Sequence, residues 1–133
     1  MEETAVKAII LKGNKFLVLK QVVAGEVVYT LPGGRIKSDN LEAELKREVK
    51  EETNIDMEEF HYFGDWSFIR KTNGLKTVCK TYVGKLIKED INFENKEERE
   101  NIQEFLWLGK DEFLKGNYSD NKSLLDLIGK LEI

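Results

Sequence analysis

Two apolar-rich runs, 4–11 (TAVKAIIL) and 15–23 (KFLVLKQVV), flank Gly13-Asn14 and predict a β-hairpin. Gly25 breaks the chain, and 27–31 (VVYTL) reads as a short strand entering the turn Pro32-Gly33-Gly34. From Leu41 the apolar spacing lengthens to that of a helix, which runs to Thr53 without Pro or Gly. After a connector at 56–60, the run 62–70 (YFGDWSFIR) reads as a strand. Asn73-Gly74 then signals a second hairpin, with 75–86 as the returning partner. Residues 87–100 are highly charged and read as a loop, and 105–108 (FLWL) as a last strand. Helices are predicted over 111–114 and 119–131. Strands around one central helix, with a further helix at the end, predict an α/β fold with a mixed β-sheet between helices.

The central helix has an unusual charge pattern. Asp39 is its expected N-cap, with Glu42 three residues on to complete a capping box. At about 100° per residue, Leu41, Leu45 and Val49 form one apolar stripe. Lys46 and Lys50 point away from that stripe, as solvated charges should. Glu52 instead falls inside the stripe, Glu48 at its edge, and Glu44 and Glu51 border it. Glu48 and Glu52, at i and i+4, repel one another unless a cation lies between them. A dense oxygen-only cluster suits Mg²⁺ or Mn²⁺, so we read the helix as a metal-binding element.

The stretch 31–55, LPGGRIKSDNLEAELKREVKEETNI, resembles the Nudix box, G-x5-E-x7-R-E-U-x-E-E-x-G-U with U aliphatic. Gly33, Arg47, Glu48, Val49, Glu51, Glu52 and Ile55 match in register, and Leu31-Pro32-Gly33-Gly34 matches the usual lead-in. Asp39 stands where the box has its first Glu, Asn54 replaces the last Gly, and the loop before the helix is one residue short. Asn is the next best residue to Gly in the left-handed conformation needed after a helix, whereas Asp is a methylene shorter than Glu. The resemblance implies a Nudix-type α/β/α sandwich and a MutT-like hydrolase. Its substrate would be a nucleoside diphosphate linked to another group, cleaved by water attacking phosphorus. It further implies that Glu48, Glu51 and Glu52, with the backbone carbonyl of Gly33, hold Mg²⁺ (or Mn²⁺), and that Arg47 pairs with a carboxylate to steady the glycine loop. A general base comes either from the box or from a later acidic loop, for which Glu98 and Glu100 are the candidates.

Composition narrows the partners. A chain of 133 residues with a net charge of −4 reads as one domain, 1–133, with no basic footprint for duplex nucleic acid. The single Cys79 excludes an internal disulfide and fits a reducing, cytoplasmic setting, and no run of membrane-spanning length appears. The expected partner is a small nucleotide; the resemblance leaves a homodimer open.

Six further residues have more than one reading. Arg35 and the adjacent Gly34 meet a phosphate, or Arg35 is a solvated loop residue. Trp66 and Phe68, on one face of a strand, stack a nucleobase or fill the core. His61 is a base or ligand, or a surface residue, and lacks a visible partner; Cys79 reads as packing rather than as a nucleophile. Two other functions share this fold, a nucleotide-binding module without hydrolysis and a diphosphate isomerase. The intact Arg-Glu-x-x-Glu-Glu run argues against the first, as does the absence of an attached output domain; the second needs an activated cysteine.

Overall fold

The computed structural model describes residues 2–86 and 101–133. Its central strand, β1 (Glu2–Lys12), carries buried residues on both faces: Val6, Ala8 and Ile10 on one, Ala5 and Ile9 on the other. A strand covered on both sides reads as a nearly continuous apolar run, as TAVKAIIL does. β1 runs parallel to β6 (Lys76–Lys85), from Glu2 opposite Lys76 to Leu11 opposite Lys85. β5 (Phe60–Ile69) pairs antiparallel with β6 across the Asn73-Gly74 turn, where Gly74 has φ +70°. That second hairpin is as the sequence suggested.

The first hairpin needs correction. β1 and β2 (Lys15–Val23) pair only at Leu11–Phe16 and Lys12–Lys15, then diverge. β2 is instead flanked by β3 (Glu26–Thr30) and β7 (Ile102–Gly109). The gap beside β1 is filled by β4 (Gly33–Arg35), pairing antiparallel with Ala5, Val6 and Lys7. The expected glycine turn is thus itself a short strand. Glycine allows this: a Cβ on Gly33, at φ +141°, would lie 1.9 Å from the Val6 carbonyl oxygen.

Helices cover the mixed sheet on both faces. On one, α1 (Leu41–Thr53) packs Leu45 and Val49 against Val6, Ala8, Ile10 and Leu17. On the other, α2 (Lys110–Lys115) and α3 (Lys122–Gly129) bring Phe113, Leu124 and Ile128 onto Ala5, Ile9, Phe16 and Val18. The result is the α/β/α sandwich expected. Several boundaries differ: β5 starts at Phe60, β7 extends to Ile102 and Gly109, and α3 is shorter at both ends than 119–131. No described helix is long and apolar enough to cross a membrane.

Candidate active site

The N-cap of α1 is Asn40, whose Oδ1 accepts the Ala43 N–H at 3.1 Å. The helix starts at Leu41 with Asn40 as its cap, so the predicted Asp39–Glu42 capping box does not form. At the other end Asn54 adopts φ 63°, ψ 17°, the left-handed cap expected of it, and its N–H bonds the Lys50 carbonyl at 2.9 Å.

Arg47 organises the exposed edge of this helix. Its Nη2 donates to Glu44 Oε2 at 2.5 Å and to Glu48 Oε1 at 3.0 Å, while Nη1 reaches both Glu51 oxygens at 3.1 Å. Three carboxylates therefore share one guanidinium, whose planar fork of donors suits the task. Glu44 is buried, and its Oε1 accepts the Lys37 N–H at 2.6 Å, tying the loop to the helix. The Arg47 bond, then the Lys37 bond, holds the Glu44 carboxyl below the usual range. Glu44 thus supplies the supporting carboxylate that Asp39 is misplaced to give. Its position bordering the apolar stripe was the available signal.

Glu52, the glutamate inside the stripe, is 8% exposed, and its Oε1 accepts the Gly33 N–H at 2.6 Å. Burial pushes its carboxyl up to about 7; the Lys7 charge and the Gly33 bond oppose this, and Glu48 and Glu51 add to it. Gly34 closes the contact from the strand side. A Cβ there would stand 2.6 Å from Glu48 Oε2, so only glycine lets Glu48 lie against the turn. Among the described residues, no three metal-ligating side chains already converge on one point, because Arg47 and the Gly33 N–H hold the carboxylate oxygens. The chemistry of the set still fits a hard divalent cation: several carboxylates, no nitrogen or sulfur donor, and one buried glutamate whose charge is costly without a counter-ion.

A cavity of about 860 Å³ opens from the glycine turn toward α3, lined by Lys7, Gly33, Gly34, Arg35, Trp66 and Phe68 among others. No glutamate of α1 lines it; cavity and carboxylates meet at the turn. The Trp66 and Phe68 rings lie 5.7 Å apart, tilted by 32°. Trp66 is a core residue, as one of the two readings expected, and Phe68 is half-buried; both line the cavity. Arg35 is solvated, with 60% of its side chain exposed, and sits 3.6 Å from Glu3. Lys7 was missed by the sequence reading. It interrupts an apolar run on β1, and its Nζ donates to the Leu31 carbonyl at 3.1 Å.

The remaining candidates are not drawn together. His61 is exposed at the start of β5, and Cys79 is fully buried, its thiol pushed up to about 11 by burial. Glu98 and Glu100 lie outside the described residues.

The family model for the NUDIX domain matches residues 1–128. No curated protein matches the sequence. Among solved structures, the chain is similar to a MutT protein from Methanosarcina mazei, with 22% identity and a TM-score of 0.78 over 97% of this chain and 91% of that one. It is also similar to a NUDIX hydrolase from Nitrosomonas europaea, with 19% identity and a TM-score of 0.76 over 97% and 87%. A Caenorhabditis elegans Ap4A hydrolase, solved as a binary complex, gives 21% identity and a TM-score of 0.73 over 96% and 93%.

Proposed function

The chain belongs to the NUDIX domain family and is a Nudix hydrolase, and from that premise we propose that it cleaves the diphosphate bond of a nucleotide in a reaction dependent on Mg²⁺ or Mn²⁺. One observation carries this reading. The Gly33 N–H takes Glu52 and the absent Cβ of Gly34 admits Glu48, so two carboxylates of α1 lie directly against the turn where the cavity opens.

Glu48, Glu51 and Glu52, with the Gly33 carbonyl, are the residues that would hold the ion, which when bound supplies charge neutralisation at the diphosphate and a site for water. The chain's own residues do the positioning. Arg47 fixes the side chains of Glu48 and Glu51 to the helix, and Glu44 fixes Arg47 to the loop. Gly33 and Gly34 let the backbone approach closely. Phe68 and the edge of Trp66 offer the nucleoside an apolar wall of the cavity. Water gives up a proton to a base and attacks one phosphorus, the anhydride P–O bond breaks, and the departing phosphate carries off the bonding pair. Such catalysis rests on placement and electrostatics more than on covalent chemistry.

The isomerase alternative is disfavoured by the environment of Cys79, whose buried thiol is held protonated. The free, buried thiol supports placing the protein in a reducing compartment. The test is product release from nucleoside triphosphates, ADP-ribose, dinucleoside polyphosphates and nucleotide sugars, separated by chromatography, with and without Mg²⁺. Metal-dependent turnover of at least one substrate is expected; no turnover of any with either ion would overturn the reading.

A further inference from the structure

We infer that Lys7 is a substrate-binding residue that meets the diphosphate from the face of the sheet opposite α1. This rests on the hydrolase reading above and adds a residue to it. The neighbours of Lys7 on β1, Val6 and Ala8, are fully buried, and Lys7 itself is half-buried. A lysine in the middle of a central strand is a costly choice unless its charge is used. The bond to the Leu31 carbonyl occupies one of its three N–H donors.

Its position gives that charge a target. Lys7 lies opposite Gly33 in the β1–β4 pairing and lines the cavity beside Gly33 and Gly34. By period-two geometry it shares the face of Ala5 and Ile9, which pack toward α3, whereas Val6, Ala8 and Ile10 pack toward α1. A diphosphate resting on the glycine turn therefore has the carboxylates of α1 on one side and the Lys7 ammonium on the other.

The other cations nearby have prior engagements. Arg47 holds three glutamates, Arg70 donates to Glu3 at 2.9 Å, and Lys71 is bonded to Glu26. Arg35 is exposed at the rim. Among the described cavity cations, Lys7 is half-buried and hydrogen-bonds a neutral carbonyl, while its charge also acts on Glu52 across the turn. An ammonium is a good point charge for phosphate oxygen and readily exchanges a neutral carbonyl for an anion.

The test compares the unaltered protein with Lys7→Met and Lys7→Gln, both expected to fold because the alkyl body is kept. Calorimetry with α,β-methylene ADP and GDP in millimolar Mg²⁺ reads diphosphate binding, and titration with Mn²⁺ alone reads the carboxylate cluster. Loss of Lys7 should weaken the bound analogue about tenfold to a hundredfold, the scale of one charge-assisted hydrogen bond. Mn²⁺ alone should bind as tightly or more tightly, since a nearby positive charge has gone. On a hydrolysed substrate, KM should rise by more than kcat falls. Unchanged analogue affinity in a folded variant overturns the inference, and so does an equal loss of Mn²⁺ binding, which would make Lys7 a support of the cluster. Failure of the unaltered protein to bind either analogue overturns the diphosphate reading itself, and the inference with it.

Discussion

Replacing Glu52 by Gln should stabilise the metal-free protein above neutral pH while abolishing most of its turnover. Glu52 titrates near 7 in the folded chain against an ordinary 4.5, chiefly because it is buried. The folded state therefore binds more protons than the unfolded one between those values, and stability falls as pH rises through that window. Below pH 4.5 the carboxyl is neutral in both states and imposes no cost; above pH 7 the whole cost is present. The displacement from 4.5 to about 7 corresponds to about 3 kcal/mol at 1.36 kcal/mol per pH unit. The amide keeps the shape and its oxygen can still accept the Gly33 N–H, so Glu52→Gln removes the charge without opening a cavity. For a chain of this size that is about 10 °C in melting temperature at pH 8, shrinking to nothing by pH 4. Calorimetric melts of both proteins in chelator, from pH 4 to pH 8, measure it directly. If the variant melts lower at pH 8, or shows the same slope against pH as its parent, Glu52 is a structural residue and the argument from burial fails.

Other substitutions separate the parts of the site. Glu44→Ala should lower the melting temperature and raise the Mg²⁺ needed for half-maximal turnover, because Arg47 and the Lys37 N–H lose their shared partner; Asp39→Ala should change neither. Gly34→Ala should reduce metal affinity, read by Mn²⁺ titration, because its methyl displaces Glu48. Gly33→Ala should fail to fold by circular dichroism, since the Val6 backbone cannot yield. Asn54→Gly should stay within about 1 kcal/mol of the parent in denaturant melts, whereas Asn54→Ala should lose about 1 kcal/mol to left-handed strain.

The sequence made the layers legible because the strands alternate or run apolar and the helix changes the period to 3.6. Its charge pattern also showed which glutamates lie against the core: Glu44 and Glu52 are buried, as positions in or beside the stripe of Leu45 and Val49 should be. What it concealed depends on contacts between distant segments. The sequential hairpin 4–23 is mostly replaced by pairing of β1 with β6, a partner about 70 residues away that no local pattern announces. Asp39 and Asn40 are both good caps by residue type, and the helix takes Asn40. Lys7 was passed over because one lysine in an apolar run looks like the polar beat of a half-exposed strand; only the pairing with Gly33 places it at the site.

We propose that the carboxylates of α1 hold a divalent ion for cleavage at a diphosphate. Hydrolysis of the nucleotide panel by parent and Glu52→Gln, each at saturating Mg²⁺ and each in chelator, tests it most directly, with Lys50→Gln as the control on the solvent face. Turnover by the parent only with metal, a fall of roughly a hundredfold or more in Glu52→Gln, and little change in Lys50→Gln are expected. Equal turnover by parent and Glu52→Gln, or turnover by the parent that survives the chelator, would contradict it.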